Sequence, residues 1–386
     1  MLLSISDTPA NERGPRHTKA ILSPIHQAIG RRFPVTFSYG AHAGSVGLYL
    51  KFPDRLTSLI KGQFYAKYPD CRIEQLAETA LDPPIDHVTW GLDLRLQPDI
   101  FPLIRYQQYE DAVQTEIDDP IGGLLQVLAP DNTPVQTRID LTVLTAGRSR
   151  RHVAQQAIES LSTRSFFRTY RRLANWYARG ITSPSAFVRY LAWIGEGTLA
   201  RGRLERTVSD ELDKSSSRLH DSERDLQAAA VKLGHHLFEA RLRITASAPP
   251  QCAALARQRL EEIAAVLNKF TIPRLATWNT SPIRQFSKRD REPKRGFLLS
   301  DEELATLWHL PTKGVRDAQR QLTVWRRLEP PRELPLTERE PNLCELGRVA
   351  FQDRSERFGI LTEDRFRHLF LVGKTGNGKS TVMLNT

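Results

Sequence analysis

Cysteine is scarce. Cys71, Cys252 and Cys344 are the only three in 386 residues, and they lie far apart with no CxxC and no Cys/His spacing. That argues against a disulfide framework and a zinc site, and leaves reduced, buried thiols as the expectation. Long apolar runs are lacking too. A bilayer span needs ~20 residues, and the most apolar candidate, Phe187 to Ile194, is short and carries Arg189. The opening MLLSISDTPANERG has too little apolar length for a secretory signal, so the expected location is the cytoplasm. The sequence also lacks a constellation for nucleophilic catalysis. The ten histidines are scattered. His235 and His236, as neighbours in a strand, would point to opposite faces and could not form one metal pair. Asp118 and Asp119 precede Pro120 and read as a helix-start cap, not a catalytic dyad.

What is present is the composition of a soluble globular chain, 40% hydrophobic and 26% charged, with length for two or three domains. The 55 Lys+Arg against 44 Asp+Glu give +11, which favours polyanionic partners such as nucleic acid or acidic lipid.

Four segments alternate with period two: Val46, Leu48, Leu50, Phe52; Val88 to Leu96; Ile139, Leu141, Val143; and Phe238 to Ile244. In three of them the opposite face is polar, with Asp93, Arg95, Gln97; Arg138, Asp140, Thr142; and Glu239, Arg241, Arg243. A sheet with one packed and one wet face is mostly antiparallel, and on this reading Arg241 and Arg243 are solvated. Helices follow two of these strands. One is capped by Asp54, carries Leu56, Leu59, Ile60 and Phe64, and is stopped by Pro69. The other opens at Pro249-Pro250 and carries Ala256, Leu260, Ile263, Leu267 and Phe270. Extended segments come next, Arg72 to Leu76 and Leu275 to Trp278, giving two strand–helix–strand units that share architecture but not residues. The expected fold is α+β, antiparallel sheets with helices on one face.

The expected organisation is a first α+β domain over 1–147, an Arg-rich helical connector over 148–209, and a second α+β unit over 210–283. A charged, Pro-rich linker spans 284–341, and the start of a P-loop domain occupies 342–386. Within the connector, Arg148 to Arg206 holds twelve arginines, no lysine and three acids, a net +9, with Phe166, Phe167, Tyr170, Trp176 and Tyr177 interleaved. Arg164, Arg168, Arg171 and Arg172 are the candidates for DNA contact, since arginine pairs with phosphate and aromatics stack on bases. A plain amphipathic connector or a surface for acidic lipid are the alternatives. In the linker, Ser300-Asp-Glu-Glu303 reads as a capping box before Leu304, Leu307 and Trp308, with Pro311 as the stop.

One motif carries chemistry. Gly373-Lys374-Thr375-Gly376-Asn377-Gly378-Lys379-Ser380 fits GxxxxGK[ST] without a mismatch and is followed by Thr381. The apolar run Leu369 to Val372 before it reads as a buried strand, and Ser380 to Leu384 after it as the start of a helix. Loop amides would wrap the phosphates of ATP, Lys379 would reach the β- and γ-phosphates, and Ser380 would ligate Mg²⁺. Only six residues follow Ser380. A second strand carrying an acidic residue is needed for turnover, so these 386 residues are expected to bind nucleotide poorly and hydrolyse none.

The stretch Phe358-Gly-Ile … Asp364-Arg-Phe-Arg-His368 running through the loop to Thr381 resembles the opening of HerA-like and TraD-like ATPases. The latter are conjugative coupling motors of type IV secretion. Gly62 to Asp70 and Leu298 to Pro311 resemble the amino-terminal region of bacterial type IV secretion DNA-binding proteins. The resemblance implies a RecA-like α/β motor, incomplete here, that assembles as a hexamer and threads DNA using ATP and Mg²⁺. It also implies association with a membrane-bound secretion complex, hence a peripheral position at the inner membrane. The other reading is a non-catalytic nucleic-acid-binding or assembly module with a vestigial P-loop.

Overall fold

The four alternating segments are strands, and all four lie in one sheet. The computed structural model describes residues 1–8, 10–42, 45–110, 119–128, 133–162, 217–273, 275–286, 296–313, 315, 330–331, 334–337, 340, 342–349, 351, 355–367, 370, 372 and 379–385. Its elements begin with β1 (Leu2–Ser6), α1 (Pro15–Ile29), β2 (Val35–His42), β3 (Ser45–Lys51), α2 (Thr57–Lys67) and β4 (Arg72–Leu76). There follow β5 (Val88–Gln97), the single turn α3 (Gln107–Glu110), α4 (Gly122–Leu128), β6 (Gln136–Thr145), α5 (Arg148–Ser162) and α6 (Ser217–Gly234). Then come β7 (Leu237–Ala248), α7 (Ala253–Leu267), β8 (Thr277–Thr280), β9 (Arg284–Phe286), β10 (Phe297–Ser300) and α8 (Asp301–Leu307). A hairpin of β11 (Leu343–Arg348) and β12 (Arg357–Leu361) and the helix α9 (Lys379–Asn385) complete the described elements.

The sheet order is β4-β1-β3-β2-β6-β7-β5-β8, with β10 on β7 and β9 on β5. Every pairing among these strands is antiparallel. Numbered within its own half, β1 to β4 reads 4-1-3-2, and β5, β6, β7, β8 repeats the same order. The chain therefore builds the split βαβ, ferredoxin-like topology twice. The strand–helix–strand segments seen in the sequence are the second halves of these units. In each, an earlier strand (β1 or β5) lies between the two. The halves meet edge to edge through β2 and β6, from Val35↔Val143 to Gly40↔Arg138, so each covers an edge that would otherwise invite pairing with another chain.

Alternation sends Phe37, Leu50, Leu94, Leu141, Leu242 and their like to one face, where a single buried core spans both halves. Helices cover that face: α1 packs on β6, α7 on β7 and β5, α1 against α2, and α4 against α7. Ala256, Leu260, Ile263 and Leu267 of α7 are buried at helical spacing, as expected, and Phe270 closes the following 3₁₀ turn. The expected cap on α2 is different. Asp54 makes no side-chain cap bond; the helix is entered through a 3₁₀ turn, Asp54–Leu56. The Asp54 carboxylate instead lies 3.0 Å from the amino terminus of Met1, a full charge that outcompetes a backbone amide for it.

Residues 297–312 are not linker. Phe297, Leu298, Leu299, Glu303, Leu304, Ala305, His309 and Leu310 are all fully buried. The capping box forms as the sequence indicates, with the Ser300 hydroxyl accepting from the Glu303 amide and the Glu303 carboxylate accepting from the Ser300 amide. This segment joins the two halves. Trp308 stacks edge-on against Phe37 and Phe64, at 5.0 and 6.2 Å between ring centroids, and donates to the Ser38 carbonyl. On the other side the Leu103 amide donates to Glu303 and the Tyr106 amide to the Thr306 hydroxyl.

In the first unit the middle strands are joined through residues 43–44. In the second, the equivalent β6–β7 connection is the long insertion that carries the Arg-rich stretch. It leaves along α5 and returns along α6, and these two helices pack on each other.

Candidate nucleotide-phosphate and nucleic-acid sites

Lys379, Ser380 and Thr381 form the first turn of α9, with Lys379 half-buried and Ser380 and Thr381 exposed. Gly373, Lys374, Thr375, Gly376, Asn377 and Gly378 lie outside the described residues. The segment leading to them starts with the β11–β12 hairpin, to which Leu336 adds a bridge at Phe358. Gly359 lies so close to the Cys344 carbonyl that no Cβ fits there, which accounts for glycine in the middle of β12. Phe358 to Leu361 thus belong to a strand. Phe370 and Val372 are not part of a buried strand: both stand outside any strand, 89% and 80% exposed. A short apolar run becomes a strand only where a neighbour accepts its backbone hydrogen bonds, and no described strand lies beside this one.

Arg164, Arg168, Arg171 and Arg172 also lie outside the described residues. The arginines at the root of the same insertion are structural. Arg150 pairs with buried Asp99 at 3.0 Å and Glu239 at 2.8 Å, and donates to the Gly296 carbonyl. Arg151 donates to the carbonyls of Leu233 and His235 at the end of α6, where free carbonyls favour a cation. Lys232, 1% exposed, lies 3.0 Å from Glu303 and donates to the Phe101 carbonyl. The root of the insertion is therefore clamped to the core on both helices.

The buried charges missed by sequence reasoning cluster around α8. Glu302 faces Lys19 at 2.8 Å and Arg105 at 3.2 Å. Burial pushes its carboxyl up, but Lys19, Gln107 and His235 outweigh this and hold it below the ordinary carboxylate range. Asp119 accepts from His309 at 3.0 Å and from the amide and hydroxyl of Thr312, both at 2.8 Å. Burial again acts upward, and His309 and Thr312 bring the carboxyl below its usual value. Asp119 also accepts from the Ile121 amide, so the cap at the start of α4 is real. His235 and His236 precede β7 instead of lying in it. His235 faces Asp301 and Glu302, whereas His236 bonds Ser23 and lies against His26. Acidic residues opening a helix read as capping, and only the distant partners Lys19, Arg105 and Lys232 reveal that they are buried.

Of the thiols, only Cys71 is fully buried, and burial pushes it up; Cys252 and Cys344 are half-exposed. Among the described residues no group of three or more His, Cys, Asp or Glu converges on a metal position, and no helix is long and apolar enough to cross a membrane. No protein-family model matches the chain, and no curated protein matches it at a significant level.

Proposed function

We propose that this chain is the amino-terminal portion of an ATP-dependent DNA-translocating motor related to type IV secretion and conjugative coupling ATPases. One observation carries the reading: Gly373–Ser380 matches GxxxxGK[ST], and a helix begins at Lys379, the motif's lysine. The exposed Ser380 hydroxyl beside Lys379 suits a phosphate-bound Mg²⁺. In this reading the amides of residues 373–381 hold the phosphates of ATP, Lys379 neutralises the β- and γ-phosphates, and Ser380 ligates the metal. Bound Mg²⁺ supplies charge neutralisation on the phosphates. The RecA-like α/β domain, a hexameric assembly, a cytoplasmic site of action and docking to a membrane-bound secretion complex belong to the same proposal. DNA contact is assigned to Arg164, Arg168, Arg171 and Arg172.

The exposure of Phe370 and Val372 favours a second reading, a non-catalytic nucleic-acid-binding or assembly module with a vestigial P-loop. DNA-stimulated ATP turnover, measured on the protein expressed from its complete reading frame, separates the two. Turnover lost in Lys379→Ala supports the motor; no turnover in the parent protein supports the module.

A further inference from the structure

The polar face of the second unit has a composition that the nucleotide reading does not use. Its outward positions form cross-strand rows. Asp140, Arg243 and Asp93 make one, and Arg138, Thr245, Gly91 and Arg284 the next. Gln136, Ser247, Thr89 and Phe286 make a third. Arg95, Arg241 and Glu239 stand on the same face by alternation, so five arginines meet three acids, of which Glu239 is held by Arg150 from outside the face. The first unit's outward face shows no such excess, with Lys51 and Arg72 against Glu74 and Glu78.

The aspartates orient the arginines. Asp93 holds Arg243 at 2.7 Å, and Asp140 holds Arg138 at 2.8 Å. Phe286 packs against Gly91, where a Cβ would stand 2.9 Å from the ring. The guanidinium groups of Arg243 and Arg284 each sit 4.5 Å from its centroid. The segment 77–87, passing from β4 to β5 across the sheet, crosses this side. Leu81 anchors it on Leu2 and Tyr49. Pro83, Pro84 and Ile85 then wall a groove of about 570 Å³ against the sheet. A second groove of about 560 Å³, reaching Lys51 and Thr36, shares Arg138, Asp140 and Arg243 with the first.

We propose that this face binds a single-stranded polynucleotide, with phosphates on Arg138, Arg241 and Arg284 and a base on Phe286. Oriented guanidinium groups, hydroxyls from Thr89, Thr245 and Ser247 and a surface aromatic ring are the chemistry that single strands use. A duplex keeps its bases stacked and has none to offer to Phe286. Binding here needs none of residues 373–381, so it stands or falls apart from the nucleotide site.

The test is fluorescence anisotropy of the full chain with dye-labelled oligo(dT), oligo(rU) and a DNA duplex, titrated with salt. Arg164, Arg168, Arg171 and Arg172 are changed to Gln in every sample, so that the insertion does not mask the sheet. Both single strands bind more tightly than the duplex, and whichever is tighter names the sugar. The triple change Arg138→Gln, Arg284→Gln and Phe286→Ala weakens single-strand binding about tenfold or more. It also flattens the salt slope by about 1.4, roughly 0.7 per arginine. Phe286→Leu keeps the apolar cover on Gly91 and still loses the stacking part. Unchanged affinity and slope, or tighter binding of the duplex, overturns the proposal. Photocrosslinking of the unaltered chain to a bromouridine strand gives an independent reading. Crosslinks at residues 284–286 support it, and crosslinks confined to 163–216 contradict it.

Discussion

Two buried carboxylates respond to pH in opposite senses. Burial, with a contribution from Asp70, pushes the Asp7 carboxyl from its ordinary 3.8 up to about 6. Between those values the folded chain holds a proton that the unfolded chain has released. Stability from this group therefore falls as pH rises from about 4 to 6, and the penalty is complete above 6. Asp7→Asn keeps an acceptor for the Thr8 amide, which bonds Asp7 at 2.8 Å, and removes the charge. We expect it to stabilise the chain by roughly 2–3 kcal/mol at neutral pH, at 1.36 kcal/mol per pKa unit, and to change little near pH 4. Asp119, held low by His309 and Thr312, contributes stability above the ordinary carboxylate pKa that is lost as pH falls through its folded value. Asp119→Asn therefore destabilises at neutral pH, and by less in acid. Urea unfolding of both variants at the two pH values checks both signs; a shift of the same sign for the two at neutral pH contradicts this account.

At the scale of elements, α8 and the root of the insertion decide the outcome. Lys232 and Glu303 are both buried and paired at 3.0 Å. Removing one partner strands the other charge, so Lys232→Met should cost about 3–5 kcal/mol. Adding Glu303→Gln should recover part of that, which a double-mutant cycle measures directly. The insertion itself is tested by salt. Changing Arg164, Arg168, Arg171 and Arg172 to Gln should lower the duplex-DNA salt slope by about 3.6, near 0.9 per phosphate contact. An unchanged slope returns the segment to the connector role.

The elements differ in how far they were legible. Strands β3, β5, β6 and β7 and helices α2 and α7 follow from local periodicity, and the capping box fixes the start of α8, which ends at Leu307 with Trp308 already extended, before the stop expected at Pro311. The insertion of β1 between β3 and β4 does not follow, because it pairs Leu2 with Lys51 and Leu76. Likewise β6 meets β2 across a hundred residues. Local pattern states which face of a strand is apolar, not which strand lies beside it. That is why two halves of one sheet read as separate units and a core segment read as linker. The GxxxxGK[ST] match is a run of adjacent residues and needs no fold to be read, whereas the Arg138 to Phe286 rows need the register of four strands to bring them together.

Across the whole molecule, the shared β2–β6 edge and the 297–312 segment make the two halves one cooperative body. Trp308→Ala removes a fully buried ring that touches the first half from a segment bonded to the second, and should cost about 3–5 kcal/mol. Circular dichroism and tryptophan fluorescence should report one coincident transition in the parent and in the variant; two separated transitions would show that the halves unfold independently. The central claim concerns the small region beyond this body. DNA-stimulated ATP hydrolysis by the protein from its complete reading frame, with and without Lys379→Ala, tests it most directly. We expect turnover that requires Mg²⁺ and DNA and is abolished by the single change at Lys379. Turnover that survives in Lys379→Ala, or its absence from the parent protein, would contradict it.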